Sequence, residues 1–198
     1  MAVVVRPKAG PAWLVIAALV LTITACSPST PAVSPTPSDA IAVLHCEDVI
    51  ASAPAPPSDA SIILDAVALP TGRALQVNQS GGSDPHAKLF AKDGLFIRRG
   101  ATFDLVVPEP WLGRLAVIWG SLGKPTIHLR VAGCRPSQRM PSSSRWDLSD
   151  QWLVYPGGYF VTQAACVSVL VRAGQTEQTV RIGAGTPCPG QSPPPSPA

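Results

Sequence analysis

The sequence has few charged residues and almost no excess of either sign. Charged side chains make up 14% of the chain, with 15 Lys and Arg against 12 Asp and Glu. Two of the basic residues, Arg6 and Lys8, precede an apolar run near the N-terminus, so residues 26–198 carry 13 basic and 12 acidic side chains. A protein that binds nucleic acid needs a basic surface. We therefore expect no nucleic-acid partner.

Long apolar runs and metal-binding motifs are scarce as well. Beyond the N-terminal run, the stretches at 105–107 and 167–171 have the length of strands, whereas a transmembrane helix needs about 20 apolar residues. The chain has no Cys-x-x-Cys pair, which argues against a zinc knuckle. His-Cys-Glu-Asp at 45–48 offers four potential ligands, but neighbours in an extended segment point to opposite faces. The sequence predicts no metal site and no cofactor.

The N-terminus has the order of a secretory signal peptide, residues 1–25. A short basic stretch precedes an apolar run over 12–25, which is shorter than a membrane span of about 20 residues. The run ends in Ile-Thr-Ala-Cys at 23–26, which resembles the bacterial lipobox, an aliphatic residue and two small ones before an invariant cysteine. An ordinary secretory signal would instead leave Cys26 as an odd thiol. The resemblance implies that Cys26 is lipidated and that acyl chains anchor the mature protein to the outward face of the cell membrane.

Composition divides the remaining chain into three segments. Residues 26–39 are rich in Pro, Ser and Thr and are predicted to form a disordered tether, which reaches roughly 40 Å when extended. Residues 40–188 are long enough for one domain with a single core. Residues 189–198 are rich in Pro and are predicted to form a disordered tail.

Four cysteines follow Cys26, and an even number of thiols in an oxidising compartment predicts two disulfides. They are Cys46, Cys134, Cys166 and Cys188. Four thiols allow three connectivities. We expect Cys46 to pair with Cys188, which would tie the ends of the domain together, and Cys134 to pair with Cys166.

Alternation of apolar and polar residues predicts β-strands. It is clearest at 102–107 and recurs at 114–119 and 126–131, where every second side chain should face the core. The inward residues are Phe103, Leu105, Val107, Leu115, Val117, Trp119, Ile127, Leu129 and Val131. Segments 166–172 and 178–183 predict a hairpin in which valines face Val180 and Ile182.

Three further segments carry weaker signals. Residues 62–69 predict one strand that ends at Pro-Thr-Gly, and Lys-Asp-Gly at 92–94 predicts the tight turn of a second hairpin. Residues 39–50 fit a short helix or an edge strand. Short strands at regular spacing predict an all-β fold, an antiparallel β-sandwich of immunoglobulin-like architecture with disulfides. A small β-barrel is the alternative.

Aromatic residues are few, and five of the eleven lie within residues 146–160. Aromatic rings beside carboxylates can stack on sugars or anchor a protein partner. The candidate binding surface consists of Trp146, Trp152, Tyr155 and Tyr159. Of these, Trp146 and Tyr155 should be the most exposed. The alternative, which we favour, is that Trp152, Tyr159 and Phe160 fill the open end of the sandwich around a turn at 156–158.

Motifs for catalysis are weak. Ser-Leu-Gly-Lys at 121–124 fits the Ser-x-x-Lys pattern, but its flanking Gly and Pro predict a turn instead of the helix that this chemistry needs. Asp147 and Asp150 could act as a pair of carboxylates, but glycoside hydrolysis also needs an apolar pocket for one acid. We therefore expect no enzymatic activity.

The combination of lipobox, Pro-rich stalk and compact β domain resembles the small lipoproteins of high-GC Gram-positive bacteria. The segments 94–100, 156–160 and 183–188 add to this resemblance, which implies an envelope location and no particular activity. We expect a non-enzymatic module that binds a cell-wall glycan or a protein partner. An accessory subunit of an envelope enzyme or transporter would show an exposed apolar patch. A hydrolase would show a deep pocket with perturbed carboxylates.

Overall fold

The computed structural model describes residues 40–81, 88–134 and 150–195, and these form β-strands with two short 3-10 helices at 46–48 and 109–111. The strands are β1 (Ala42–Leu44), β2 (Ala51–Ala53), β3 (Ser61–Ile63), β4 (Val67–Leu69), β5 (Val77–Gln79), β6 (Leu89–Arg98), β7 (Phe103–Val106), β8 (Leu115–Trp119), β9 (His128–Val131), β10 (Trp152–Val161), β11 (Ala165–Ala173) and β12 (Thr176–Ala184). Cys26 and the tether at 26–39 lie outside the described residues.

The strands form two sheets. The five-stranded sheet has the order β1-β9-β7-β11-β12, and the seven-stranded sheet has the order β2-β10-β6-β4-β3, with β5 also on β6 and β8 also on β10. The strand pairs are antiparallel except β1 with β9, which is parallel. The predicted all-β sandwich with disulfides is confirmed. The alternative of a small barrel is wrong, because neither sheet closes on itself.

The core lies between the sheets and consists mainly of the residues that alternation placed there. Eight of the nine predicted inward residues are buried, and Ile127 is partly buried and packs against the core. The hairpin of β11 and β12 is confirmed in its register, since Val167 lies opposite Ile182 and Val169 opposite Val180. These aliphatic side chains leave water together, which is the main favourable term in folding.

The predicted turn at 92–94 is wrong. Strand β6 runs without a break from Leu89 to Arg98 and pairs along its whole length with β10. The predicted turn at 156–158 is wrong for the same reason, since β10 continues through Pro-Gly-Gly. A Cβ atom on Gly157 would collide with the Ile118 carbonyl and the Trp119 ring. The glycine at position 157 therefore allows β10 to pack closely against β8.

The predicted single strand at 62–69 is also wrong, because the segment folds back on itself as β3 and β4. Leu64 and Asp65 adopt φ angles of 49° and 54°, the left-handed conformation that tight hairpin turns require. Residues 39–50 combine both alternatives of the sequence analysis, with the edge strand β1 followed by one 3-10 turn at 46–48.

The expected disulfide connectivity is wrong. Cys46 pairs with Cys134, and Cys166 pairs with Cys188. Because β1 lies parallel to β9, the chain leaves both strands at the same end of the sheet. Cys46, after β1, therefore lies next to Cys134, after β9. Cys166 lies near the start of β11, opposite Gly183 of β12, so the chain leaving β12 passes close to it.

The folded chain extends past the predicted boundary at Cys188. The Ser192 amide donates to the Gly72 carbonyl at 3.0 Å, and the Ser192 carbonyl accepts from the Ala74 amide at 2.9 Å. The Gln191 side chain accepts a hydrogen bond from the Cys188 amide at 3.0 Å. The prediction of a disordered tail from residue 189 is therefore wrong for the segment through Ser192. Within the described ranges, no helix has the length and apolar character needed to cross a membrane.

Candidate functional site

The predicted aromatic binding surface is wrong for the three residues that the structure describes. Trp152, Tyr155 and Tyr159 are only 3%, 1% and 0% exposed, and Trp146 lies outside the described residues. Strand β10 is flanked by β6 on one edge and by β2 and β8 on the other, so its odd-numbered side chains face the core. Trp152 lies on the opposite, outer side, where the Arg98 guanidinium covers its ring at 4.8 Å.

Tyr155 supports the fold through its hydroxyl group. The Tyr155 oxygen lies 2.9 Å from the Cys134 sulfur, and this sulfur belongs to a disulfide, so the tyrosine is the donor. Burial raises the pKa of Tyr155, and the nearby Asp48 adds to the effect. The hydroxyl therefore stays protonated and anchors β10 to one disulfide.

The carboxylate pair considered for glycoside hydrolysis lies only partly within the described residues. Asp147 is outside them. Asp150 accepts a hydrogen bond from the Ser52 hydroxyl at 2.7 Å, and its carbonyl accepts one from the Arg99 side chain at 3.1 Å. These contacts tie the start of β10 to its neighbours, which is a structural role.

The seven-stranded sheet has a gap along one edge of β6. On that edge β5 pairs with residues 89–91 and β4 with residues 96–97, so residues 92–95 face no strand among the described residues. The cause is the route of the chain between β4 and β5. Pro70, which has no amide to donate, follows β4, and the chain then crosses to the five-stranded sheet, where the Leu75 amide donates to the Gly183 carbonyl at 2.7 Å.

A cavity of about 190 Å³ lies at this gap. We call it the gap cavity, and it is lined by Pro57, Asp59, Ala60, Ala68, Pro70, Arg73, Leu75, Asp93, Gly94 and Phe96. Three of these residues carry charge. Arg73 and Asp59 form an ion pair with a nitrogen to oxygen distance of 2.8 Å, and both remain substantially exposed.

Asp93 is the unusual residue of the gap cavity. It lies opposite Gly157 in the ladder and shares the core-facing side of β6 with Ala91 and Leu95, both of which are fully buried. Burial raises the pKa of Asp93 to about 7, although a hydrogen bond from the Gly94 amide opposes the shift and the Asp59 charge adds to it. An aspartate that titrates near neutrality inside a cavity is a candidate functional group.

Three buried polar atoms near Gly157 have no hydrogen-bond partner within the described residues. They are Asp93 Oδ2, Trp119 Nε1 and the Tyr159 hydroxyl oxygen. Asp93 and Trp119 flank Gly157 on the two neighbouring strands, and the Trp119 and Tyr159 rings meet edge to face with centroids 5.1 Å apart. Burial raises the pKa of Tyr159 well above its usual value, and Asp93 adds to this shift. Each unsatisfied group costs about 1–3 kcal/mol, so their grouping around Gly157, which lies opposite Asp93, is informative.

The outer face of the seven-stranded sheet carries partly exposed phenylalanines, and the prediction that Phe160 fills the core is wrong. Phe90, Phe96 and Phe160 point away from the core because they alternate with buried residues of β6 and β10. The Phe90 and Phe160 rings pack with centroids 4.8 Å apart. Phe96 also lines the gap cavity. We call these three residues the phenylalanine face. Apolar residues occur at both even and odd positions of 89–98, which indicates a strand with apolar side chains on both faces. The turn predicted at 92–94 hid this pattern.

Metal chemistry finds no support in the described part of the chain, where no group of three or more His, Cys, Asp or Glu side chains could hold an ion. His128 lies 3.5 Å from the Asp104 carboxylate, which Arg130 also contacts. His45 and Cys46 do not converge on a site, because Cys46 is oxidised to a disulfide.

The gap cavity and the adjoining phenylalanine face are thus the site that the fold brings together, from β6, β10 and the segments that flank β3 and β4. The chain matches no protein-family model, no curated protein and no solved structure in the comparisons made with each.

Proposed function

We propose that this protein is an envelope lipoprotein, held at the outward face of the cell membrane by acyl chains on Cys26, and that its β-sandwich is a non-enzymatic module that binds a cell-wall glycan. The lipobox-like sequence at 23–26 supports the anchor. The observation that carries the binding role is the phenylalanine face.

The phenylalanine face offers partly exposed aromatic rings, the kind of side chain on which sugar rings stack. Aromatic rings offer flat apolar surfaces at a small cost in side-chain entropy, which suits them to recognition. Gly94 keeps the surface low beside Phe96, since even a Cβ atom there would touch the Phe96 ring and Val154. The gap cavity adds hydrogen-bonding groups from Asp59 and Arg73 next to Phe96. A stacking surface with polar groups at its border matches a ligand that combines apolar ring faces with hydroxyl groups.

The binding role is tested with the full mature chain and purified cell-wall sacculi in a co-sedimentation assay. The double variant Phe90→Ala and Phe160→Ala, which removes the two rings that pack together and leaves the gap cavity intact, should lose at least about tenfold in affinity, because such anchor side chains carry most of the energy of an interface. Val43→Ala is the matched control, since Val43 is an exposed apolar residue on β1 of the five-stranded sheet. Unchanged sedimentation of a folded double variant would contradict the proposal.

The anchor is tested separately by cell fractionation. Cys26→Ser should move the protein from the membrane fraction to the soluble fraction without changing the thermal unfolding of the domain, because one covalent lipid signal is removed and the fold is not touched. A Cys26→Ser protein that stays in the membrane fraction would contradict the lipid anchor.

A hydrolase is the second candidate function, and one observation favours it. Asp93, with its pKa raised to about 7, lines a cavity together with a second carboxylate, Asp59, and an acid with a raised pKa can donate a proton at neutral pH. However, Asp59 is engaged by Arg73, and the volume of about 190 Å³ is below the range of about 300–1,000 Å³ common for ligand pockets. Release of soluble sugar from sacculi that Asp93→Asn abolishes would favour the hydrolase.

An accessory subunit of an envelope complex is the remaining alternative. Strand β1 pairs with β9 and with no second strand among the described residues. On or beside β1, Ile41 and Val43 are 44% and 38% exposed. A strand of a partner could pair with such an edge. Co-purification of one membrane complex with the wild-type protein, and its loss in Val43→Lys, would favour this alternative over glycan binding.

A further inference from the structure

The charges that line the gap cavity do not balance within the protein. Arg73 and Asp59 lie 2.8 Å apart and compensate each other. Asp93 has no ion-pair partner in the described part of the chain, and its Oδ2 atom is buried without a hydrogen bond. A carboxylate in an apolar setting is costly unless an opposite charge accompanies it. A cation bound beside Asp93 would stabilise the ionised carboxylate, so a cationic ligand matches the cavity.

The walls of the gap cavity restrict which cation fits. Phe96, Leu75 and Ala68 form an apolar lining together with prolines. A divalent metal ion such as Ca²⁺ takes about six to eight oxygen ligands, and no cluster of three or more acidic, His or Cys side chains exists in the described residues. A volume of about 190 Å³ suits a small organic group. An ammonium with three N–H donors and an apolar stem matches both the carboxylate and the walls.

We propose that the gap cavity binds a primary ammonium group, with Asp93 as its counter-charge and Phe96 and Leu75 against its apolar stem. The ammonium can belong to a free alkylamine or to an amino sugar that carries an unacetylated amino group. This site adjoins the phenylalanine face of the proposed function and shares Phe96 with it, but Phe90 and Phe160 do not line the gap cavity, so the site does not depend on stacking against those two rings.

The charge state of Asp93 makes the binding dependent on pH. The charged and titratable groups around Asp93 are Asp59 before β3, Arg73 after β4 and Tyr159 on β10. Tyr159 stays protonated because its pKa is far above neutrality. An ammonium binds the ionised carboxylate, so affinity should rise about tenfold between about pH 6 and about pH 8 and level off above that range.

The test is isothermal titration of the purified mature chain with butylammonium chloride and, in a second arm, with a glucosamine tetramer. The neutral counterparts 1-butanol and the N-acetylated tetramer serve as ligand controls. The wild-type protein should bind at least one of the amines saturably, and Asp93→Asn should weaken this binding at least about tenfold. Asp104→Asn is the control variant, because Asp104 is a carboxylate on the other sheet, and it should bind as the wild type does.

The two arms separate the two sources of the ammonium. Binding of butylammonium without the tetramer identifies a free amine, whereas tighter binding of the tetramer than of its acetylated form identifies an amino sugar. The proposal is overturned if folded wild-type protein binds neither amine, if Asp93→Asn binds as the wild type does, or if affinity is unchanged between about pH 6 and about pH 8. Sacculus binding that depends on Phe160 is unaffected by these outcomes, so this proposal and the glycan-binding proposal can fail independently.

Discussion

The two sheets of the sandwich differ in where their charged and polar side chains lie. On the outer face of the five-stranded sheet, Arg130 lies opposite Asp104, and Asp104 lies opposite Arg172. Arg172 in turn lies opposite Glu177. The Arg130 nitrogen is 2.8 Å from Asp104, and the Arg172 nitrogen is 3.0 Å from Glu177. These four charges lie on the outer side of the sheet and are paired.

The seven-stranded sheet reverses this arrangement, with phenylalanines on its outer face and a carboxylate, Asp93, on its core-facing side. Three buried polar atoms without a hydrogen-bond partner in the described residues also lie on this sheet, around Gly157, against one on the five-stranded sheet, His128 Nε2. Both disulfides contact the five-stranded sheet or the residues beside it. The seven-stranded sheet therefore departs more often than the five-stranded sheet from the pattern that stabilises folded proteins, and such departures concentrate where proteins bind ligands.

The largest expected effect comes from the disulfides beside the five-stranded sheet. Replacing Cys46 and Cys134 by Ala should lower the free energy of unfolding by about 4–5 kcal/mol, since the bridge closes a loop with a sequence separation of 88. Replacing Cys166 and Cys188 should cost about 3 kcal/mol, since their separation is 22. Urea unfolding of both double variants measures this. A larger loss for the shorter loop would contradict the loop-entropy explanation.

Asp93→Asn should change the free energy of unfolding in the opposite direction and stabilise the protein. The folded state holds the Asp93 proton up to about pH 7, whereas the unfolded chain releases it near pH 4. Stability is therefore lost as the pH rises from about 4 to about 7. Asn carries no such penalty, so it should gain up to about 4 kcal/mol near pH 8 and little near pH 4.

Urea unfolding of wild-type and Asp93→Asn proteins at both pH values measures the gain. Asp104→Asn is the control from the five-stranded sheet and should show no stabilisation at either pH. An equal effect of Asp93→Asn at the two pH values would mean that the carboxylate is not ionised at a cost in the folded protein.

The two buried tyrosines of β10 provide a matched comparison within the seven-stranded sheet. Tyr155→Phe should cost about 1 kcal/mol, because it removes the hydrogen bond to the Cys134 sulfur. Tyr159→Phe removes a hydroxyl that has no partner in the described residues, so it should be neutral or stabilising. Thermal unfolding of the two variants measures the difference. A cost for Tyr159→Phe equal to that of Tyr155→Phe would show that the Tyr159 hydroxyl is satisfied.

The smallest effect is expected for the ion pairs of the five-stranded sheet. The Arg130 guanidinium, through its hydrogen bond, holds the pKa of Asp104 below its usual range. The stabilisation is therefore present above the ordinary aspartate pKa of about 4 and is lost as the pH falls below it. Because the pair is partly exposed, Asp104→Asn should cost less than about 1 kcal/mol. The cost should shrink in about 1 M salt, and a cost that salt leaves unchanged would point to another cause.

Local pattern predicted the parts of the fold that depend on neighbouring residues. Period-two alternation identified β7, β8 and β9, and the β11–β12 hairpin, with its valines facing the core. The same reasoning could not distinguish a turn from a strand at Lys-Asp-Gly, because Asp-Gly favours tight turns and only the pairing with β10 keeps the chain extended there.

Contacts between distant parts of the chain decided the rest. The number of thiols predicted two disulfides, but their connectivity depended on β1 lying beside β9, which spacing along the chain does not reveal. Alternation along β10 does not tell whether Tyr155 or Phe160 faces the core. The packing of β10 against the other sheet determines which of the two is buried. The pKa of Asp93 has the same origin. Its sequence neighbours, Lys92 and Gly94, give no sign that it is buried. Its raised pKa comes from burial beside Gly157 and from Asp59 across the gap cavity, contacts that exist only once the strands have assembled.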